Sequence, residues 1–278
     1  MTDIRQTKEY AKHLINLGWQ VERIENINYF IRAFPIIGAI LKVQRPKDIN
    51  FKVIDNIKTK YHVFHTIIEP LNNKQAEKIT SRGYKLSKSP FLPSKTLILD
   101  LENNKDILKS FKKDTRYAIN KSKKIIIIKN PDLPSFHESW RIMTGFSRYV
   151  PSIGTLASLQ TTLGTKMVIL ASHNGKEKSY NYSAGSIFLL SNDTAYYWMS
   201  FTGKFGRSTL SQSTLLYKGI LWAIYKGAKC FDFEGIYDDR FPNKSWLGFS
   251  HFKKGFGGYE VLYPGAYTFT DFLRRKTA

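Results

Sequence analysis

A handful of residues in this chain have types and spacings that could do chemistry. Lys253 directly follows Phe252. A fixed ammonium beside an aromatic ring can neutralise an oxyanion or a polyanion, while the ring orients a sugar, a base or an ammonium. Residue type alone leaves a second reading open, in which Lys253 and Lys254 are solvated surface lysines flanking a buried phenylalanine. Asp232 closes a short apolar run, Cys230 to Phe233, that reads as a strand. There it could accept a proton or hold an incoming amine, or merely fold the turn by accepting local N–H groups. Glu234, two residues on, could do either job. Arg207 lies in Gly203-Lys204-Phe205-Gly206-Arg207-Ser208, a glycine-bearing turn running into a helix, where anions are readily held. Arg148, after the first helix expected in the second half, is a candidate for the same task. Arg116 sits within Lys109 to Lys124, a basic stretch broken by the single acid Asp114.

Other chemistries are excluded or weak. The lone cysteine, Cys230, allows no internal disulfide framework and no cysteine-based zinc cluster, fits a reduced compartment, and reads as a core residue. His62 and His65 fall three apart on a predicted strand and so point to opposite faces, which argues against a metal pair. There is no His-Glu-x-x-His, no phosphate-cradling P-loop and no Gly-x-Ser-x-Gly. Lys and Arg number 43 against 22 Asp and Glu, a net charge of +21 in 278 residues. Such a surface attracts polyanions: nucleic acid, anionic lipid or phosphorylated substrates. Charge alone does not choose among them. The 42% hydrophobic content provides a real core. The N-terminus lacks an apolar signal, and the longest apolar runs, Phe34 to Leu41 and Ile125 to Ile128, fall far short of the ~20 residues that span a bilayer. The expectation is a cytoplasmic protein, at most attached to a membrane surface.

The elements that must position these residues alternate. Residues 7–17 predict a helix ended by Gly18, followed by strands at Trp19 to Ile24, Tyr29 to Phe34 and Ala39 to Val43. A helix after Asp48, a strand at His62 to Ile68, a helix at 74–82 and a strand at Leu97 to Leu101 come next. Residues 106–124 form a basic helical segment, and Ile125 to Ile128 a short strand. The second half predicts helices at 132–148 and 153–163. A meander follows at Met167 to Ala171, Tyr180 to Leu190 and Ala195 to Phe201, turning at Asn174-Gly175 and Asn192-Asp193. A long helix at 208–225, the Cys230 strand, and strands at Val261 to Tyr263 and Tyr267 to Phe269 complete it. The class is α/β (α+β), with mixed sheets flanked by helices.

The order helices, antiparallel meander, long helix, strand resembles a GNAT-type acyltransferase unit, and the first half shows a looser version of it without any internal sequence repeat. Two stretches go further. Residues 94–124 place Asp100-Leu101 at the end of a strand, followed by Arg116, Ile119 and Lys121 on a basic helix. Residues 195–267 carry Asp232 to Gly235 in a turn, then Phe252-Lys253 ahead of Phe256-Gly257. Together these resemble the Fem-type peptidoglycan-bridge aminoacyltransferases. The chain departs from that pattern at Glu234, where the family usually has a small residue, and it has no coiled-coil arm between its halves.

The resemblance implies two tandem GNAT-like domains, here drawn as 1–128 and 129–278, with no metal and no prosthetic group. It implies transfer of an amino acid from aminoacyl-tRNA to a stem-peptide amine of UDP-MurNAc-peptide or lipid II, at or near the inner membrane face. That reaction is ester aminolysis, which needs a neutral amine and a cation or N–H donors at the oxyanion. The resemblance assigns Lys253 to the oxyanion or the tRNA 3′ end, with Phe252 and Asp232 beside it as catalytic candidates. Arg207, Arg148 and Arg116 become the substrate-binding candidates. Two other readings stand beside it: a GNAT N-acyltransferase using acyl-CoA, whose longer glycine signature is incomplete at 203–207, and a non-catalytic RNA-binding protein, for which charge and aromatics suffice.

Overall fold

The structure, a computed structural model, describes residues 2–102, 106–145, 149–173 and 182–271. Arg148 and the Asn174-Gly175 turn lie outside them. In chain order the elements are α1 (Lys8–Asn16), β1 (Gln20–Ile24), β2 (Ile27–Phe34), β3 (Gly38–Gln44), α2 (Phe51–Lys60), β4 (Val63–Glu69), α3 (Asn73–Thr80), β5 (Lys85–Leu86), β6 (Lys95–Asp100), α4 (Ile107–Ser110), α5 (Lys113–Lys121) and β7 (Ile126–Lys129). Then come α6 (Leu133–Thr144), α7 (Ile153–Leu163), β8 (Met167–His173), β9 (Tyr182–Ser191), β10 (Thr194–Thr202), α8 (Lys204–Ser208), α9 (Ser211–Tyr225), β11 (Cys230–Asp232), α10 (Leu247–Lys254), β12 (Tyr259–Leu262) and β13 (Tyr267–Thr270).

Local chemistry sets the helix starts. Thr7, Asn50, Asn72, Asp132 and Ser152 each accept a backbone N–H three residues on, at the starts of α1, α2, α3, α6 and α7. Each such cap contributes about 1 kcal/mol. Gly18, just past α1, takes φ +79, the left-handed geometry that ends helices.

The chain forms two compact units, and their boundaries differ from the halves expected around residue 128. One comprises Met1–Lys95, Tyr237–Asn243 and Leu262–Ala278; the other comprises Thr96–Ile236 and Lys244–Val261. The reason is strand exchange. Residues 96–128 join the second unit because β6 pairs antiparallel with β11, Asp100 opposite Cys230 and Ile98 opposite Asp232. In return β13, from the C-terminal end, pairs antiparallel with β4 of the first unit. Element order along a sequence does not reveal such an exchange.

In the first unit a six-stranded sheet runs β1-β2-β3-β4-β13-β5, with β3 and β4 parallel. Its core joins Tyr29, Ile31 and Leu41 of the sheet to Ile54 and Ile57 of α2 and Ile79 of α3. In the second unit a seven-stranded sheet runs β12-β6-β11-β10-β9-β8-β7, with β10 and β11 parallel. Its core joins Phe188, Tyr197 and Phe231 to Leu215, Leu216 and Ile220 of α9. Helix α9 lies on β9 so closely that a Cβ at Gly219 would come within 2.2 Å of the Phe188 ring. The arrangement bears out the α/β class with mixed sheets and flanking helices.

One predicted helix is broken and one starts late. The 106–124 segment is α4 and α5, parted at Phe111 and Lys112, whose backbones are extended. The break lets Phe111 pack on Phe256 at 5.0 Å while the Lys112 amide donates to Gly255 O. The predicted 208–225 helix is α9, which starts at Ser211 after Leu210 takes φ +57; the short α8 precedes it. Helix α10 was not visible as a helix in the sequence. No helix among the described residues is long and apolar enough to cross a membrane.

Candidate active site

The second sheet splits where the candidate residues gather. Strands β10 and β11 run side by side for only three positions, Thr194 with Cys230 through Tyr196 with Asp232. Beyond that point β11's chain leaves β10, and the Phe233 amide bonds instead to Leu97 O on β6. Strand β10 continues to Thr202, paired only with β9 and irregular between Tyr197 and Met199. Its free edge from Tyr197 to Thr202 forms one wall of a cavity of about 500 Å³. Arg207, Gln212, Glu234, Phe252 and Lys253 are among its other walls.

Lys253 reaches this cavity from the last turn of α10. Consecutive helical residues point about 100° apart, and that separates the two lysines. Lys254 pairs with Glu260 at 2.6 Å near the surface. Lys253 is only 8% exposed. Its ammonium donates to Gly235 O at 2.7 Å and lies 4.9 Å from the Phe249 ring and 5.6 Å from the Tyr197 ring. Among the described residues no carboxylate forms an ion pair with it. Burial lowers its pKa to about 8, against the opposing pull of Glu234 and Asp232. The end of a helix also favours a cation. The product is a desolvated charge beside a space large enough for a ligand.

Aromatic packing fixes this position. Phe256 is fully buried, with its ring 5.0 Å from Phe111, 5.4 Å from Phe252 and 6.1 Å from Phe233. At Gly255 a Cβ would lie 2.2 Å from Thr115 Oγ1, so only glycine lets α10 end against α5. Phe252 thus packs the helix against Phe256 and is also among the cavity-lining residues.

Asp232 is buried and is not among the cavity-lining residues. Its Oδ1 accepts from Thr96 Oγ1 at 2.5 Å and from the Glu234 amide at 2.8 Å, while the Gly235 amide donates to Thr96 Oγ1 at 3.2 Å. Asp232 and Thr96 therefore pin the turn whose carbonyl holds Lys253. That is the turn-forming alternative read from the sequence. Glu234 adopts φ +55 in this turn, where a glycine would be unstrained, and its side chain lines the cavity.

Arg207 stands exposed at the cavity, its Nη1 donating to Thr202 O at 2.7 Å. Gly203 and Gly206 beside it serve close packing: a Cβ at Gly206 would meet Ser183 O at 2.6 Å. Arg116 is placed elsewhere. Its guanidinium donates to the carbonyls of Phe111 and Lys109 and satisfies the end of α4. Arg148 lies outside the described residues. So Lys253, Phe252 and Arg207 come together, Asp232 supports them from behind, and Arg116 holds a helix end.

Sequence reading missed Gln212 and Tyr197. Gln212 Nε2 donates to Ser186 Oγ at 2.6 Å and to the Tyr197 hydroxyl, and its Oε1 accepts from Thr202 Oγ1 at 2.8 Å. One amide thus ties β9, β10 and α9 together in the cavity wall. The available signal was the polar run Ser211-Gln212-Ser213-Thr214 opening an otherwise apolar helix.

No protein-family model and no curated protein sequence matches the chain. Solved structures do. FemX superposes with a TM-score of 0.76 at 15% identity, covering 96% of this chain and 92% of its own. L-PGS from Bacillus licheniformis superposes at 0.61 and 14% identity, covering 96% and 87%. A tandem GNAT protein from the clavulanic acid biosynthesis pathway superposes at 0.53 and 10% identity, covering 93% and 87%. At such identities the likeness concerns the backbone, and it bears out the fold expected from the sequence: this chain has a tandem GNAT-like fold of the Fem type.

Proposed function

We propose that the chain is an aminoacyltransferase that moves an amino acid from aminoacyl-tRNA to an amine of a peptidoglycan precursor, UDP-MurNAc-peptide or lipid II. The observation that carries this reading is the buried ammonium of Lys253, held by a neutral carbonyl and two rings at the mouth of the β10–β11 split. The Fem-type resemblance of the Phe252-Lys253 and Phe256-Gly257 pairs supports it, as does the likeness of fold to FemX.

The chemistry follows from these groups. The acceptor nitrogen attacks the ester carbonyl carbon, a C–N bond forms, and the carbonyl electron pair moves onto oxygen. Lys253 stabilises that oxyanion, and a preorganised cation in a dry site is worth far more than one in water. Collapse expels the ribose oxygen, which takes a proton, while the new amide nitrogen loses one. The acceptor attacks as the neutral amine, its ammonium proton released to water beforehand. Arg207 at the rim meets a phosphate of the donor or precursor.

A transfer assay tests this directly. The full chain is incubated with radiolabelled aminoacyl-tRNA or acetyl-CoA and a peptidoglycan-precursor acceptor. Label moving from aminoacyl-tRNA, and lost in Lys253→Met, supports the reading. Incorporation from acetyl-CoA alone replaces it with an N-acyltransferase, and RNA binding without any transfer replaces it with a binding protein. Mass spectrometry of cell-wall fragments with and without the protein identifies the amino acid and the acceptor.

A further inference from the structure

The first unit carries an oddity unrelated to the cavity. The β2–β3 hairpin turns through Phe34-Pro35-Ile36-Ile37-Gly38, with Phe34 registered opposite Gly38. Hairpin tips in water are normally built of Gly, Asn or Asp. Here Phe34, Ile36 and Ile37 are 38%, 65% and 48% exposed. Ile36 also adopts φ +73, a strained geometry for a β-branched side chain. The Ile37 amide donates to Pro35 O at 2.8 Å and closes a tight γ-turn around it. Glycine is used only at the next position, where it is indispensable: Gly38 has φ +100, and a Cβ there would lie 2.3 Å from His62 O. The tip thus keeps bulky apolar groups in water at a strained position, and an exposed apolar cluster of this kind marks an interaction site.

What lies behind the tip identifies the partner. Arg32 is two residues back from Phe34 on the same face of β2, a distance of about 7 Å. The register Phe30 with Lys42 and Arg32 with Ile40 puts Lys42 on that face as well. Both cations sit on the Trp19 ring, at 5.9 Å and 5.2 Å, and Lys42 also lies 5.7 Å from the exposed Phe91 ring. Arg32 donates to Leu17 O and Gly18 O, and among the described residues neither Arg32 nor Lys42 forms an ion pair with a carboxylate. Glu22 accepts from Lys60 and Tyr61, and buried Glu69 accepts from Gln44 and the Leu92 amide. An apolar wedge, then Arg32 about 7 Å and Lys42 about 14 Å further along the strands, both backed by one indole, matches the layering of an anionic bilayer surface, where apolar groups enter ~5–10 Å and cations meet phosphates. The net charge of +21 adds attraction to the same surface.

We infer that the β2–β3 tip is a membrane wedge: Phe34, Ile36 and Ile37 enter the acyl boundary of an anionic bilayer while Arg32 and Lys42, held against Trp19, bind lipid phosphates. This does not depend on what the cavity catalyses, because binding is read without turnover. The test is co-sedimentation of the full chain with vesicles of phosphatidylglycerol and phosphatidylcholine, and with phosphatidylcholine alone. The wild type sediments with the anionic vesicles only. Ile36→Asn weakens that binding about tenfold or more while its thermal midpoint stays level or rises, because Asn accepts a positive φ. Ile37→Ser, at an ordinary backbone position, repeats the test should Ile36→Asn fail to fold. Lys42→Gln weakens binding about fivefold. The inference is overturned if the wild type stays in the supernatant, if folded tip variants sediment as the wild type does, or if they lose binding to a bare RNA duplex equally.

Discussion

Both units bury cations, and two of these, Arg45 and Lys253, are treated in opposite ways. In the first unit Arg45 is 3% exposed and fully answered: its Nη1 meets Asp3 Oδ2 at 3.0 Å, its Nη2 donates to Pro93 O at 2.7 Å, and its guanidinium lies 3.7 Å from the Tyr263 ring. Arg5 reinforces the arrangement at 3.1 Å from the same carboxylate. Burial alone would raise the Asp3 pKa, but Arg5 and Arg45 outweigh it and hold the carboxyl below its ordinary range. In the second unit Lys253 has a carbonyl, two rings and a cavity. A buried charge with a counter-ion is part of the scaffold. One left with neutral partners beside an open space awaits a negative charge from elsewhere.

The largest effects come from removing each cation. Lys253→Met is expected to lower transfer about 10²–10³-fold, the usual loss of an oxyanion donor, with the fold intact by circular dichroism. Arg45→Met is expected to cost about 1–3 kcal/mol in urea unfolding, because buried Asp3 keeps only Arg5 as its cation and Pro93 O loses its donor, while the folded fraction keeps its kcat. Exchanged outcomes would break the comparison outright.

Next in size is pH. Lys253 carries its proton below about 8 and loses it above, so kcat/KM should fall as pH rises through that value. The stability effect has the opposite direction. A lysine whose folded pKa lies below its unfolded value destabilises the fold at low pH, and that penalty is relieved as pH rises from about 8 toward the ordinary lysine value of 10.5. Lys253→Met should therefore be more stable than the wild type at neutral pH, by on the order of 2–3 kcal/mol, with the gain shrinking in alkali. Asp3 behaves conversely: its contribution is present above the ordinary carboxylate range and disappears as acid protonates it. A wild-type rate that is flat across pH 8, with chemistry rate-limiting, would remove the proton on Lys253 from the mechanism.

How legible was this contrast before folding? The strands of the β8–β10 meander and the caps of half the helices follow from alternation and from Thr, Asn, Asp and Ser at the helix starts. The Phe252-Lys253 pair was legible as chemistry because Phe256 and the glycines around it form a recognisable pattern. Three things were not. Leu210 and Phe111 break helices for tertiary reasons, one to turn α8 into α9, the other to reach Phe256. The strand exchange of β6 and β13 depends on pairing across more than a hundred residues. That Lys253 is buried while Lys254 is solvated depended on the orientation of α10, which the sequence did not reveal as a helix.

A smaller effect concerns the support behind the site. Thr96→Val removes the hydroxyl that donates to Asp232 and accepts from the Gly235 amide. The turn loosens, and the carbonyl facing Lys253 shifts. A loss in kcat of about tenfold is expected, with KM little changed, since a positioning role acts through geometry at the reacting atoms. Thr96→Ser restores the hydroxyl and should restore the rate. If Thr96→Ser is as slow as Thr96→Val, the methyl packing matters and the hydrogen bonds do not.

The smallest effect separates strain from charge at one residue. Glu234 occupies φ +55 and raises the Lys253 pKa against the desolvation that lowers it. Glu234→Gly relieves the left-handed backbone but frees the unfolded chain, so the net stabilisation is at most about 1 kcal/mol. Removing the carboxylate also removes its support for the ammonium, so the alkaline limb of kcat/KM should move to lower pH. The two readouts are independent. A more stable variant with an unmoved pH limb would mean that Glu234 is felt only through its backbone, leaving the turn carbonyl and the two rings to set the charge on Lys253. A moved limb would make the departure from a small residue at this position a way of keeping that lysine charged in a cavity that otherwise discharges it.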